Sequence, residues 1–283
     1  MKIFNWNFKE KFDHNEDLIM LLGSFETLHL GHYELVKTAK DIRNTNPELK
    51  LAIMLFSQSY KSLVAKEEKV FQIKTRLYTL FNLGFDYVFL VDDNINNFNV
   101  SHEQFCKNLL ENKVKKVVCG NDFKFGFRKI GNIDYLKKYF QVYVSNDRKI
   151  QKQKISTSLI KDLIEDGNIS AINNLLIEKY SFITNLEKMN FFYPNNIKKI
   201  RSGIYVSNFV IDDVEYHGLI KINHKSNKEK TNQAYIFDLE LIPSKYKEVF
   251  VEVEALIRHI NFQHEDKIEI SDIETAKKWF IKK

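Results

Sequence analysis

Residues 18–42 read LIMLLGSFETLHLGHYELVKTAKDI, and this stretch decides how the rest of the chain is read. Five apolar residues, Leu18 to Leu22, stop at Gly23. A short turn follows, and from His29-Leu30-Gly31-His32 onward the apolar positions Leu35, Val36, Ala39 and Ile42 recur at helical spacing. An unbroken apolar run of this length suits a strand covered on both faces, and the periodic stretch after it predicts a helix that begins near the histidines. A helix N-terminus carries unpaired N–H groups and a partial positive charge, which makes it a phosphate site. His29 and His32, three residues apart, share one helical face, and Gly31 between them permits close approach of backbone or ligand. Two histidines at this spacing are common on ordinary helix surfaces. The strand before them and the two glycines turn the reading toward phosphate.

Working outward, further apolar runs occur at Leu51–Phe56, Tyr87–Val91, Val114–Cys119 and Gln141–Val144. Between them lie helical patterns: one ending at Gly84, a C′ glycine; SHEQFCKNLLENK, with Ser101 as N-cap and Gln104 completing a capping box; and NIDYLKKYF. Residues 1–17 form a lead-in strand or arm. Strands alternating with helices at these intervals predict βαβ units and a doubly wound parallel sheet of α/β class. Ligands in such sheets bind at the carboxyl ends of the strands. Gly23, Ser57 and Gly120 each follow a strand directly, so their loops should meet at one site.

Two more stretches carry chemistry. Residues 119–131, CGNDFKFGFRKIG, form a strand-end loop with three glycines, one carboxylate, three phenylalanines and the cations Lys124, Arg128 and Lys129. Residues 155–164, ISTSLIKDLI, place the hydroxyls Ser156, Thr157 and Ser158 ahead of a helix with apolar Leu159, Ile160, Leu163 and Ile164. One of these hydroxyls serves as N-cap. The others are placed for phosphate at the same helix N-terminus.

Composition narrows the class. The chain has 283 residues, 44% of them apolar, enough for two globular domains. The formal charge of +6 is spread along the chain; it suits an anionic ligand and lacks the concentrated basic patch of a nucleic-acid binder. The two cysteines, Cys106 and Cys119, have neither disulfide-framework nor metal spacing. No apolar run is long enough to span a bilayer, and the first residues lack a signal-peptide core. The expectation is a soluble cytoplasmic protein with small-molecule substrates, no nucleic acid and no membrane partner. The oligomeric state stays open, a monomer included.

The pattern G-x-F-x-x-x-H-x-G-H after a first strand, Gly23 to His32, resembles the HxGH adenylyltransferases. Together with the G-x-D-F-x-F-G pattern at 120–126 it is most similar to the bacterial FAD synthetases. The family's Asp-Gly after the phenylalanine is Glu26-Thr27 here. Ser156-Thr157-Ser158 resembles the family's S-S-T-x-I-R element, whose two basic or polar positions are Leu159 and Lys161 here. Lys161 keeps a cation without arginine's fork, and Lys152 and Lys154 lie just upstream. The resemblance covers residues 1–180. It implies a Rossmann-like nucleotidyltransferase domain in which His29 and His32 are catalytic and bind the ATP phosphates. Gly23, Ser24, Phe25 and Gly31 would contact ATP beside them, and Ser156, Thr157, Ser158 and Lys161 would hold its phosphates. Asn121, Asp122, Phe123, Phe125 and Ser57 would form the flavin site, and Mg²⁺ would bridge the phosphates, with its protein ligands unassigned.

From residue 181 the pattern changes. Ser202–Val210 alternates, Val214–Ile222 is a further strand joined by Asp212-Asp213, and Gln233–Leu241 follows a charged loop. With EVFVEVEALIR and a helix from Ser271, this predicts a small antiparallel β-barrel with a C-terminal helix over 181–283. The segment resembles the riboflavin kinase module of FAD synthetases. That module's glycine-rich loop and G-F-P-T-A-N correspond to SFITNLEKMNFFYPNNI, which has no glycine and carries Asn195-Asn196 after Pro194. Its catalytic carboxylate corresponds to Gln233, whose amide cannot act as a general base. Asp238 and Glu240 lie off register. The resemblance therefore implies an FMN adenylyltransferase making FAD and pyrophosphate from FMN and ATP, with a kinase-like domain that has lost its activity. Other readings are a working bifunctional enzyme, an HxGH adenylyltransferase for a nicotinamide or pantetheine phosphate, and a non-catalytic flavin-binding protein on the same scaffold.

Overall fold

The computed structural model describes all residues except 58–66, 93, 95–98, 147, 151–152, 225–231, 238, 240–244 and 283. The chain divides into two compact units. One comprises Met1–Lys69 and Arg76–Ser156, the other Val70–Thr75 and Thr157–Lys283.

The first unit is built on six parallel strands: β1 (Lys2–Trp6), β2 (Leu18–Leu22), β3 (Lys50–Phe56), β4 (Tyr87–Val91), β5 (Val114–Gly120) and β6 (Gln141–Ser145), in the order β1-β4-β3-β2-β5-β6. The lead-in segment is thus an edge strand of the same sheet, paired with β4. All five residues of β2 are buried, because helices cover both faces. Leu18, Met20 and Leu22 join one apolar cluster with Trp6, Phe89, Phe105 and Leu109. Helix α1 (Leu30–Thr45) buries Leu35, Val36, Ala39 and Ile42, the four positions that the periodicity marks. Helix α2 (Ile73–Asn82) is followed by Gly84 in the left-handed region (φ 77°), as a C′ residue requires. Helix α3 (His102–Glu111) begins at Ser101, whose hydroxyl accepts the Gln104 N–H at 3.1 Å. After the short helix α4 (Ile133–Leu136) and strand β6, the antiparallel pair β7 (Lys149–Ile150) and β8 (Gln153–Lys154) ends the unit.

Chain order fixes where the loops meet. From β2 the chain winds outward to β3 and β4, then returns to place β5 on the other side of β2. β2 and β5 are therefore the switch point of the sheet. Their carboxyl ends lead into the HxGH turn and the 120–131 loop.

The second unit opens with α5 (Thr157–Asp166) and α6 (Ile169–Leu175), separated by Gly167 at φ 70°. The barrel follows, with strands β9 (Ser181–Glu187), β10 (Asn190–Phe191), β11 (Gly203–Ile211), β12 (Val214–Ile222), β13 (Asn232–Ile236) and β14 (Lys245–His259) closed in the order β10-β13-β12-β11-β14-β9. Gln72 adds to it: its amide bonds both backbone groups of Ile183, at 3.0 and 2.6 Å. Helix α7 (Ile270–Ile281) lies on the outside, packing Ala276, Ile273 and Phe280 against Ile204, Val206 and Leu219. This explains why β11, which reads as an alternating strand, is buried at eight of nine positions. Its outward residues meet a helix instead of water. The β9–β10 connection is a two-residue turn at Lys188-Met189, both at positive φ (49° and 63°), a conformation usually left to glycine and asparagine.

Candidate active site

The β2–α1 turn places the two histidines. His29 is extended (φ −101°, ψ 169°) and caps α1, its ring Nδ1 accepting the His32 N–H at 3.2 Å. Histidine thus takes a role normally filled by Ser, Thr, Asp or Asn. A nitrogen that accepts carries no proton, so the neutral ring holds its proton on Nε2, which is a donor. The His32 ring stacks on it with centroids 3.8 Å apart and 15° between planes. Gly31 makes room for this pair: a Cβ there would lie 3.0 Å from the His29 ring and 3.9 Å from the Ile155 carbonyl oxygen. Phe25 is fully buried with φ 44°, its ring 4.9 Å from that of His32 and so close under Gly23 that a Cβ there would meet it at 2.9 Å. Ser24, beside it, is exposed.

Charge at the turn does not come from the histidines. Burial pushes the His29 pKa down to about 4, and the nearby Lys154 ammonium adds to the shift. His32 is held well below the ordinary histidine range, by burial first and then by His29, while a hydrogen bond with the Thr27 backbone opposes the shift. Both rings are neutral at pH 7. The Nδ1 of His32 is buried and has no partner among the described residues.

On the other side of the switch point, β5 ends in Gly120, and the exposed Asn121 and Asp122 form the turn. Phe123 is half-buried and stacks on Phe125 at 5.7 Å; Phe125 is buried against Phe105 at 4.7 Å. Phe125 and Gly131 exchange both backbone hydrogen bonds, at 3.0 and 2.9 Å, closing the loop on itself. Phe125 is therefore the anchor of the loop, and Phe123 is its more accessible ring. Lys154 reaches this loop from β8, its Nζ 2.9 Å from Asp122 Oδ2. Because the same ammonium acts on both histidines, His29, His32, Asp122 and Lys154 form one cluster.

Sequence reasoning missed Arg76. This α2 side chain is 2% exposed and donates to three carbonyl oxygens: Nη1 to Phe25 at 3.1 Å and Phe56 at 2.8 Å, and Nη2 to Ser57 at 2.9 Å. It joins the turn after β2 to the end of β3. The signal in the sequence was a charged residue four positions before Leu80 on the helix's buried face. Ser57 contributes its backbone here, its N–H bonded to the Val91 carbonyl at 2.9 Å.

Ser156 ends the first unit, while Thr157, Ser158 and Lys161 stand on α5 of the second; Ser156, Thr157 and Lys161 are half-buried and Ser158 is exposed. Lys152 lies outside the described residues. Among the described residues no group of three or more His, Cys, Asp or Glu side chains is placed to hold a metal ion.

Residues 11–159 match the sequence profile of the FAD synthetase family, and that stretch is more than half of the chain. The chain belongs to the FAD synthetase family. It is accordingly a nucleotidyltransferase, with the β2–α1 turn and the 120–131 loop of FAD synthetases both inside the matched stretch. It is 26% identical, over 84% of its length and 84% of the relative's, to the bifunctional riboflavin kinase/FMN adenylyltransferase of Buchnera aphidicola subsp. Acyrthosiphon pisum. It is 25% identical to the protein of that description from Buchnera aphidicola subsp. Schizaphis graminum, over 94% of this chain and 95% of the relative. Among solved structures it is similar in fold to one described as a macrolide-efflux protein from Streptococcus pneumoniae. That likeness has a TM-score of 0.79 and 20% identity, covering 99% of this chain and 96% of the other.

Gln233, which the sequence resemblance sets at the kinase carboxylate, is exposed on β13 between Asn190 of β10 and Lys221 of β12. Asp238 and Glu240 lie outside the described residues. Asn195 and Asn196 form an exposed turn after Pro194. No helix among the described residues is long and apolar enough to cross a membrane.

Proposed function

We propose that this chain transfers an adenylyl group from MgATP to FMN, giving FAD and pyrophosphate, and that it does not phosphorylate riboflavin. We assign the transfer to residues 1–180 and treat 181–283 as a kinase-like barrel without its chemistry, working in the cytoplasm on small molecules. The observation that carries the reading is the cluster at the switch point, where a neutral stacked histidine pair at a helix N-terminus stands beside Lys154 and the aromatic 120–131 loop. An FMN phosphate oxygen attacks the α-phosphorus in line; one P–O bond forms as the bond to the bridging oxygen breaks, and pyrophosphate leaves with its electron pair. No enzyme nucleophile is required, so catalysis is orientation and charge stabilisation. His29 Nε2–H donates to an α-phosphate oxygen, with the His32 ring stacked beneath it. Lys154 supplies positive charge once the phosphates compete with Asp122 for it. Ser156, Thr157, Ser158 and Lys161 hold the outer phosphates; Gly23, Ser24, Phe25 and Gly31 border the nucleotide. Asn121, Asp122, Phe123 and Ser57 border the flavin, with Phe125 supporting Phe123 from below. Mg²⁺ enters as part of the substrate MgATP, bound by phosphates.

The test is incubation of the purified protein with MgATP and either FMN or riboflavin, followed by separation of the flavins. FAD from FMN with riboflavin unchanged is the expected result. FMN or FAD formed from riboflavin would show that the barrel retains kinase chemistry despite Gln233. Nucleotide binding without product in either mixture would point to a binding protein.

A further inference from the structure

We propose that Arg76 is a positioning residue for adenylyl transfer, holding the catalytic turn after β2 in register with the end of β3. The inference rests on the transferase reading for its kinetic test and on geometry alone for its structural one. The guanidinium is 2% exposed and spends three N–H donors on carbonyls from two separate loops: Phe25 at 3.1 Å, Phe56 at 2.8 Å and Ser57 at 2.9 Å. The planar fork is the one side chain that reaches several carbonyls in fixed directions at once. Its grip on Phe25 matters because Phe25 has φ 44°, a conformation that a bulky residue holds only when its surroundings enforce it. The Phe25 ring in turn lies 4.9 Å from the His32 ring, and His32 stacks on His29 at 3.8 Å. A chain of contacts thus runs from Arg76 through the strained Phe25 backbone to both histidines. Arg76 itself touches no reacting atom.

Groups that act by orientation lose about 100-fold in rate when displaced by about 1 Å. The experiment compares wild type with Arg76→Lys and Arg76→Met, each assayed well below its own unfolding transition. Two readouts are taken: kcat and KM for ATP with FMN as acceptor, and the NMR signals of the His29 and His32 rings in the free protein. Lysine keeps the buried charge but cannot span three carbonyls. The expected result is a kcat reduced at least about tenfold in both variants, with KM for ATP changed by less than about threefold. The His32 ring signal, set by the Phe25 ring current, should shift in both. Unchanged histidine signals in folded variants would overturn the proposal whatever the kinetics, because the clamp would then not be holding the turn. So would full recovery of kcat in Arg76→Lys, which would assign the effect to charge. If wild type itself makes no FAD, the transferase reading fails while the histidine signals still decide the role of Arg76.

Discussion

At the residue scale the proposed site is two neutral imidazoles and one ammonium. Changing His32 to Ala should lower turnover by about 100-fold or more, the scale of losing a transition-state donor or its support, while the thermal midpoint moves only a few degrees. Steady-state kinetics beside a melting curve separates the two effects. Protonation of His29 sets a stability window. Its folded pKa, about 4, lies below the ordinary 6.5, so the unfolded chain binds the proton first as pH falls. Stability attributable to this group is therefore complete above about pH 6.5 and declines toward pH 4, by on the order of 3 kcal/mol in total. Urea unfolding across that range should show the decline, and His29→Gln should lessen it, with His32 still contributing in the same direction. For the same reason these histidines should add no acid limb near pH 6.5 to kcat/KM. Gly31→Ala should displace the His29 ring, since the new methyl would sit 3.0 Å from it. A fall in kcat with little loss of stability is expected. The paired histidines and Gly31 were legible in the sequence because local spacing places them. Arg76 was not, because nothing local says that an arginine in a helix reaches carbonyls 20 and 51 residues away in the chain.

At the element scale, local rules account for most boundaries. Ser101 caps α3, Gly84 ends α2, and the apolar stripe of α1 is buried as its period demands. Where reading and structure part, a neighbouring element is the reason. β11 alternates in sequence yet is buried on both faces because α7 covers it. The helical tail after residue 157 breaks at Gly167, whose positive φ no continuous helix allows. A Cβ at Gly167 would approach His259 to 2.9 Å, so Gly167→Ala should destabilise the fold by about 1–3 kcal/mol. The Lys188-Met189 turn offers the opposite change. Both residues sit in the left-handed region that asparagine and glycine favour. Replacing them together by Asn-Gly should raise stability by about 1 kcal/mol, read as a higher urea midpoint with an unchanged slope.

At the scale of the whole molecule, a parallel sheet with a switch point and a closed barrel divide the chain. The sheet's chemistry is written in motifs that follow strands β2 and β5, and the family match spans both. The barrel is closed, and Gln233 on β13 carries an amide. On the proposed reading of the barrel, Gln233→Glu alone should leave riboflavin unphosphorylated, because Asn195 and Asn196 replace the phosphate loop that the sequence resemblance leads one to expect; flavin chromatography after incubation with MgATP reads this directly.

The sequence by itself determined the alternation of strands and helices, the barrel after residue 181 and the placing of His29, Gly31, His32 and Asp122 at strand ends. These follow from period, glycine position and chain order, which are local properties. Only the tertiary structure decided the rest: that the histidines are neutral, that Phe125 is buried while Phe123 stays half-exposed, that Lys154 joins Asp122 to the histidines, and that Arg76 clamps two loops. Each of these depends on burial or on contacts between residues distant along the chain, and burial and distance exist only once the chain has folded.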